Sequence, residues 1–220
     1  PPKPATAHGL GESGSGDMHI AIRGDLRKKG PVAPRGFLEI IAGPQRPHFA
    51  EGSGRKQLAE AVVDPGNPLT ARVMVNRIWL QNFGQALVRS PSNFGVIGQK
   101  PTHPGLLDWL AATFIENGWS MKNLHREIML SRTWQQSSAY HGESYAADGD
   151  NRLLWRMNPR RLDVEAWRDS LLAVSGDLDR RLGGAPDEHV LESTRRTIYG
   201  KLSRNFDRSV SEEFLRIFDF

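Results

Sequence analysis

There is no cysteine among the 220 residues of this chain, which excludes disulfides, thiolate metal sites and covalent attachment of haem. The same absence leaves the compartment open, because it suits a reducing cytosol and equally a secreted protein that avoids stray thiols. No apolar run approaches the roughly 18 to 20 residues that span a bilayer. Neither GxGxxG after a strand nor GxxxxGK[ST] occurs, so the glycines at 52, 54, 84, 95 and 98 match no phosphate-binding loop. GxSxG, HExxH and HxH are missing too, and the seven histidines are scattered. No metal and no cofactor is expected in this chain.

What is present is an ordinary globular composition, 38% apolar and 25% charged. The net charge of +4 and pI near 9.6 are mildly basic, weaker than the pattern of a dedicated nucleic-acid binder. The opening "PPKPATAHGLGESGSGD" has no initiator Met, no basic start and no apolar stretch, and does not read as a signal peptide. The closing "EEFLRIFDF" stops inside an apolar periodic pattern. Both ends suggest a piece of a longer polypeptide.

Residues 1–17, rich in Pro, Gly, Ala and Ser, read as a linker or extended arm. Residues 18–52 read as short strands and extended segments: "MHIAIRG" (18–24) alternates as a half-buried strand, and "RGFLEII" (35–41) is a second strand or a docked apolar arm. From 53 to 220 the pattern is that of a helical core, cut at its C-terminal end. "SGRKQLAEAVV" is stopped by "DPGNP", and 70–83 is closed by Gly84. A helix opened by Pro104 is stopped by Gly118, and Ser120 suits an N-cap for "MKNLHREIMLS". "AYHGESYAADGDN" reads as a surface loop, and a further helix spans 163–175. "RRTIYGKLSR" suits a strand, and "SEEFLRIFDF" begins another helix. Strands do not alternate with helices as a parallel sheet requires. The expected fold is mainly α: a single helical domain with a small peripheral β element and an extended N-terminal arm.

The polar residues of "NPLTARVMVNRIW" (67–79) pose the main chemical question. At about 100° per residue, Arg72, Asn76, Trp79 and Phe83 share one stripe flanked by Val73, Val75 and Leu80, with Arg77 roughly opposite. One reading makes Arg72 and Asn76 a structural clamp on loop carbonyls or a buried carboxylate, since unpaired buried polar groups cost about 1 to 3 kcal/mol each. The other makes them a site for an anionic or polyhydroxylated ligand over an aromatic floor. His103 or Thr102 is placed to cap the helix that Pro104 opens, and His125, followed by Arg126, lies beside an apolar stripe. The carboxylate pairs Asp108 with Glu116 and Asp163 with Glu165 read as solvated helix faces. Basic residues gather in "RMNPRRL", with Arg160 and Arg161, and in 194–208, where Tyr199 and Phe206 are interleaved. That second segment suits nucleic acid and equally an acidic neighbouring domain.

Residues 52–138, from "GSGRKQLAEAVV" through "HREIMLSRTWQQSS", resemble the planctomycete-type domain of unknown function found C-terminally in large secreted cytochrome-c-containing proteins. "DNRLLWRMNPRRLDVEAWRDSLLAVSGDLDRRLGG" and "RRTIYGKLSRN" continue the match in order, and "RGDLRKKGPVAPRGFLEII" resembles the segment before it. The resemblance implies export to the periplasm or cell envelope, with haem c only in an upstream domain. It implies upstream domains of the same polypeptide as partners, and no catalytic residues to carry over. The ligand-binding candidates among the positions that match the motif are Arg72, Asn76, Arg77, Trp79, His103, Asp108, His125, Arg126, Arg160 and Arg161, and Trp109 matches it as well. The leading expectation is an interaction or ligand-binding module. The alternative is an enzyme on polysaccharide-derived substrates, since six tryptophans with abundant Arg and Asn suit a sugar. Nucleic-acid binding through 194–208 ranks third and is not expected.

Overall fold

A computed structural model of the chain describes Gly9, Gly11, Glu12 and residues 16–201. It divides into two compact units, 1–158 and 159–220. Among the described residues there are seven α-helices and one two-stranded sheet, so the fold is mainly helical with a small β element.

Unit 1 opens with an antiparallel hairpin, β1 (Met18–Ala21) paired to β2 (Lys29–Ala33) with Met18 opposite Ala33. The first strand is shorter than its alternation predicts. Arg23 and Gly24 turn left-handed (φ 55° and 78°), and the Ile22 N–H bonds back to the Lys28 carbonyl at 3.0 Å, which reverses the chain. The hairpin is also not half-buried: Met18 is 72% exposed. The second strand lies at 29–33, earlier than the predicted 35–41, because a short turn delivers the nearest extended segment to β1. In 35–41, Gly36 bridges His48 instead, and α1 (Glu39–Ala42) begins.

The body of unit 1 is α2 (Arg55–Val63), α3 (Thr70–Phe83), α4 (Pro104–Glu116) and α5 (Met121–Leu130). Their ends follow local chemistry. Gly84 takes φ 74° and returns its N–H to the Leu80 carbonyl at 2.8 Å, which closes α3. Pro104 stands in the first turn of α4, where a missing N–H costs nothing. Ser120 Oγ accepts the Asn123 N–H at 3.3 Å as the cap of α5. Residues 142–147 form a short helix, α6 (Gly142–Ala147), where a loop is predicted; His141 accepts the Ser144 N–H at its start.

α3 is buried on several sides, by α4 and α5 and by the loop that follows it. Val75, Ile78, Trp79 and Phe83 meet Leu107, Leu110 and Phe114 of α4 and Leu124 and Ile128 of α5. Trp79 stacks on Phe83 at 4.1 Å, and Phe83 takes the edge of Trp134 at 5.6 Å. The loop 84–103 sends Leu87 and Val88 into this core, so its backbone there needs partners. Asn76 supplies them. Its exposure is 0%, its Nδ2 donates to the Val88 carbonyl at 3.0 Å, and its Oδ1 accepts the Val88 N–H at 2.8 Å. Asn158 closes the C-terminal end of α3 by donating to the Phe83 carbonyl at 3.1 Å.

Unit 2 is built on α7 (Val164–Ser175), ended by Gly176. Buried Arg168 donates to Thr197 Oγ1 at 3.2 Å and to the carbonyls of Arg195 and Ser193. Asp169 accepts the Thr197 N–H and hydroxyl, both at 2.7 Å, and Arg196 Nε at 3.3 Å. Of the strand predicted around 195–204, residues 202–204 lie outside the described residues, and Thr197–Tyr199 form a 3-10 turn, with Thr197 held by α7. The helix predicted from 211 onward lies outside the described residues.

Two outcomes are expected. Asn76→Ala leaves the Val88 N–H and C=O buried and unpaired, which costs about 2 to 4 kcal/mol, read by urea denaturation. In unit 2, burial raises the Asp169 carboxyl, but the Thr197 N–H and hydroxyl and Arg196 outweigh it and hold it below the usual carboxylate range. Its stabilisation is therefore complete above the ordinary aspartate value and lost as pH falls through the lowered one. Amide exchange of Thr197 should stay protected down to that range, and Asp169→Asn should abolish the dependence.

Candidate functional site

The structure uses the polar stripe of α3 for structure. Arg72 Nε donates to Asp108 Oδ1 at 2.7 Å and Nη1 to the Pro68 carbonyl at 2.5 Å, so it joins α3 to α4 and to the turn before α3. Asn76 is spent on Val88. Arg72 and Asp108 are thus brought together, while Asp108 stays on an exposed face of α4. Arg77 is exposed on the far side of α3, and Arg126 is exposed on α5.

Neither candidate caps α4 through a side chain. His103 Nδ1 bonds Thr102 Oγ1 at 3.0 Å, while the Thr102 N–H donates to the Leu87 carbonyl at 3.0 Å. The Thr102 hydroxyl also turns to the Leu87 carbonyl, at 3.4 Å, and so serves the 84–103 loop rather than the helix start. His125 is half-buried and shares a 3.1 Å hydrogen bond with Asn82, whose Nδ2 also donates to the Ile78 carbonyl. Arg160 and Arg161 are exposed in unit 2. Asn82, Arg168 and Asp169 were not singled out in the sequence. Their one visible mark is a polar residue set within an apolar helical face.

The basic segment spends its described cations locally. Arg195 stacks on Tyr199 at 4.3 Å and donates to the carbonyls of Gly183 and Ala185. Arg196 pairs with Asp169, and Lys201 with Glu188 at 2.7 Å. Residues 202–208 lie outside the described residues.

One concavity in unit 1 gathers aromatic and polar groups, a groove of about 340 Å³ where α4 and α5 meet over α3. Buried Trp79, Leu110 and Ile128 form its bottom; Leu106, Trp109 and Leu130 stand on its flanks, with Trp109 55% exposed. Glu127, Ser131 and Thr133 add a carboxylate and two hydroxyls. The indole N–H of Trp79 is buried without an acceptor, an uncommon state for a buried donor. A second cavity of about 440 Å³ in unit 2 holds Asp163, Glu165, Asp169, Arg196 and Lys201. Three of those charges are already paired, and the cavity borders the end of the described residues.

The helical body, its internal clamps and its aromatic groove are those of a small helical domain that carries no recognised catalytic signature. The chain belongs to the family described as PSD1: Protein of unknown function (DUF1553), which matches residues 54–220. The match begins at the N-cap of α2. No curated protein and no solved structure matches the chain.

The Arg72–Asp108 pair is partly solvated, so its coupling in a double-mutant cycle (Arg72→Ala, Asp108→Ala) should be at most about 1 kcal/mol. A coupling of several kcal/mol would show that this pair, rather than Asn76, dominates the stripe.

Proposed function

We propose that this domain is a binding module of an exported, cytochrome-c-associated polypeptide, and that its α4–α5 groove takes a carbohydrate. In that reading haem c belongs to an upstream domain, because this chain has no cysteine with which to attach one. The observation that carries the binding reading is the exposed ring of Trp109 beside Glu127, Ser131 and Thr133 in one groove. A sugar ring has an apolar C–H face that packs on tryptophan and hydroxyls that bond a carboxylate or another hydroxyl. Arg72 and Asn76, the best anchors for a catalytic reading, are occupied by Asp108, Pro68 and Val88. Glycoside hydrolysis by the two-carboxylate route needs a partner for Glu127, and the groove supplies a single carboxylate.

A second reading, docking against an upstream domain of the same polypeptide, is favoured by Val96 and Ile97. Both stand almost fully exposed on a loop tip that is braced by Ser90 and Asn93.

A glycan array followed by calorimetry tests the carbohydrate reading. Trp109→Ala should weaken binding by about tenfold or more, equivalent to 1.4 kcal/mol. As a surface change it should alter stability by only about 0.5 kcal/mol. A parent protein that binds no glycan would sink the proposal. Saccharide turnover that disappears in Glu127→Gln would replace it with the enzyme reading.

A further inference from the structure

We infer that Glu12 and Asp17 form a detachable strap, Glu12 fastened at the entrance of α2 through Ser53 and Asp17 fastened to Arg35 and His48. The Glu12 carboxylate accepts the Ser53 N–H at 2.7 Å and the Ser53 hydroxyl at 2.9 Å, while Arg55 Nη1 donates to the Gly11 carbonyl at 3.0 Å. α2 has no acidic residue in its first turn and no side-chain cap, so Glu12 brings the negative charge that a helix start favours. Gly52 is fitted to this seat. Its φ is +49°, and a Cβ there would lie 2.9 Å from Glu12 Oε2.

The second bolt is joined to the first. Asp17 accepts the Arg35 N–H at 3.1 Å, Arg35 Nε at 3.0 Å and His48 Nε2 at 3.0 Å. The same Arg35 donates through Nη1 to the Gly52 carbonyl at 2.8 Å, the residue on which Glu12 rests. The charged and titratable groups facing these carboxylates are Arg55 at Glu12, and Arg35 and His48 at Asp17, with His19 and Lys29 lining the same hollow as Asp17. The Glu12 contacts are exposed and the Asp17–Arg35 pair is only half-buried, and pairs open to solvent contribute little each, so the strap is detachable while the core beneath it is not.

Hydrogen bonds from the Ser53 hydroxyl and N–H hold Glu12 below the usual carboxylate value. Those from the Arg35 N–H, His48 and the Arg35 side chain bring Asp17 down to about 2. The Asp17 contact is therefore fully held above 3.8 and lost as pH falls toward about 2, and the Glu12 contact is held above 4.5 and lost as pH falls through its lowered value.

The absence of cysteine permits a single spin label at Gly11→Cys, where the backbone carbonyl is held by Arg55 and an added side chain clashes with nothing. At pH 7 the label should be restricted. Glu12→Ala, Asp17→Ala or Gly52→Ala should each shorten its rotational correlation time by about threefold or more, and acidification should do the same. Exchange of the Val88 amide, a core reporter, should not change in the variants, and on acidification it should loosen only after the label is freed. A label equally mobile in parent and variants would overturn the strap. Simultaneous loosening of the Val88 amide would overturn it as well, since the carboxylates would then hold the core.

Discussion

The carboxamide of Asn76 meets both the N–H and the C=O of Val88 at full burial, and the rest of unit 1 is arranged around that requirement. The loop 84–103 puts Leu87 and Val88 into the core, and buried peptide groups without partners are costly. A carboxamide offers a donor and an acceptor side by side, as a peptide does, so one residue satisfies both groups. With Val88 seated, the neighbouring Leu87 carbonyl takes the Thr102 N–H, and α4 starts two residues later. The position of α4 on α3, and hence the groove over Trp79, descends from that pairing.

Unit 2 solves the same problem with a different group. Val164 and Val190 are its buried aliphatics among the described residues. Arg168 satisfies two backbone carbonyls and a hydroxyl, while Asp169 on the next position takes the Thr197 N–H and hydroxyl. The two side chains grip one residue from opposite charges. A network of this kind rewards complete pairing and penalises the loss of any member.

The helical elements were legible because their boundaries rest on local chemistry. Gly84, Pro104, Ser120 and Gly176 act within a turn of their own positions, and each acts as its residue type predicts. The β element was legible only in kind. Its second strand contains Pro31 and little alternation, and it is a strand because a turn delivers it to β1. The same limit applies to the candidate residues. Arg72 and Asn76 were recognisable as polar groups in need of partners on an apolar helix, yet Asp108 and Val88 as those partners were not. Trp109 belongs to the resemblance, but its neighbours Glu127, Ser131 and Thr133 come from 18 or more positions along the chain.

Sequence alone determined the mainly helical class, the helix ends, the lack of any cysteine and so of any disulfide, and the membership of residues 54–220 in their family. All of these depend on residue type within a turn or two, or on the linear order of motifs. Tertiary structure alone decided that the polar stripe is a clamp and that the arm is fastened by Glu12 to Ser53, 41 residues away. It also decided that an aromatic groove opens where α4 meets α5. Those outcomes turn on which distant backbone groups are buried and left needing a partner, and linear sequence does not record that.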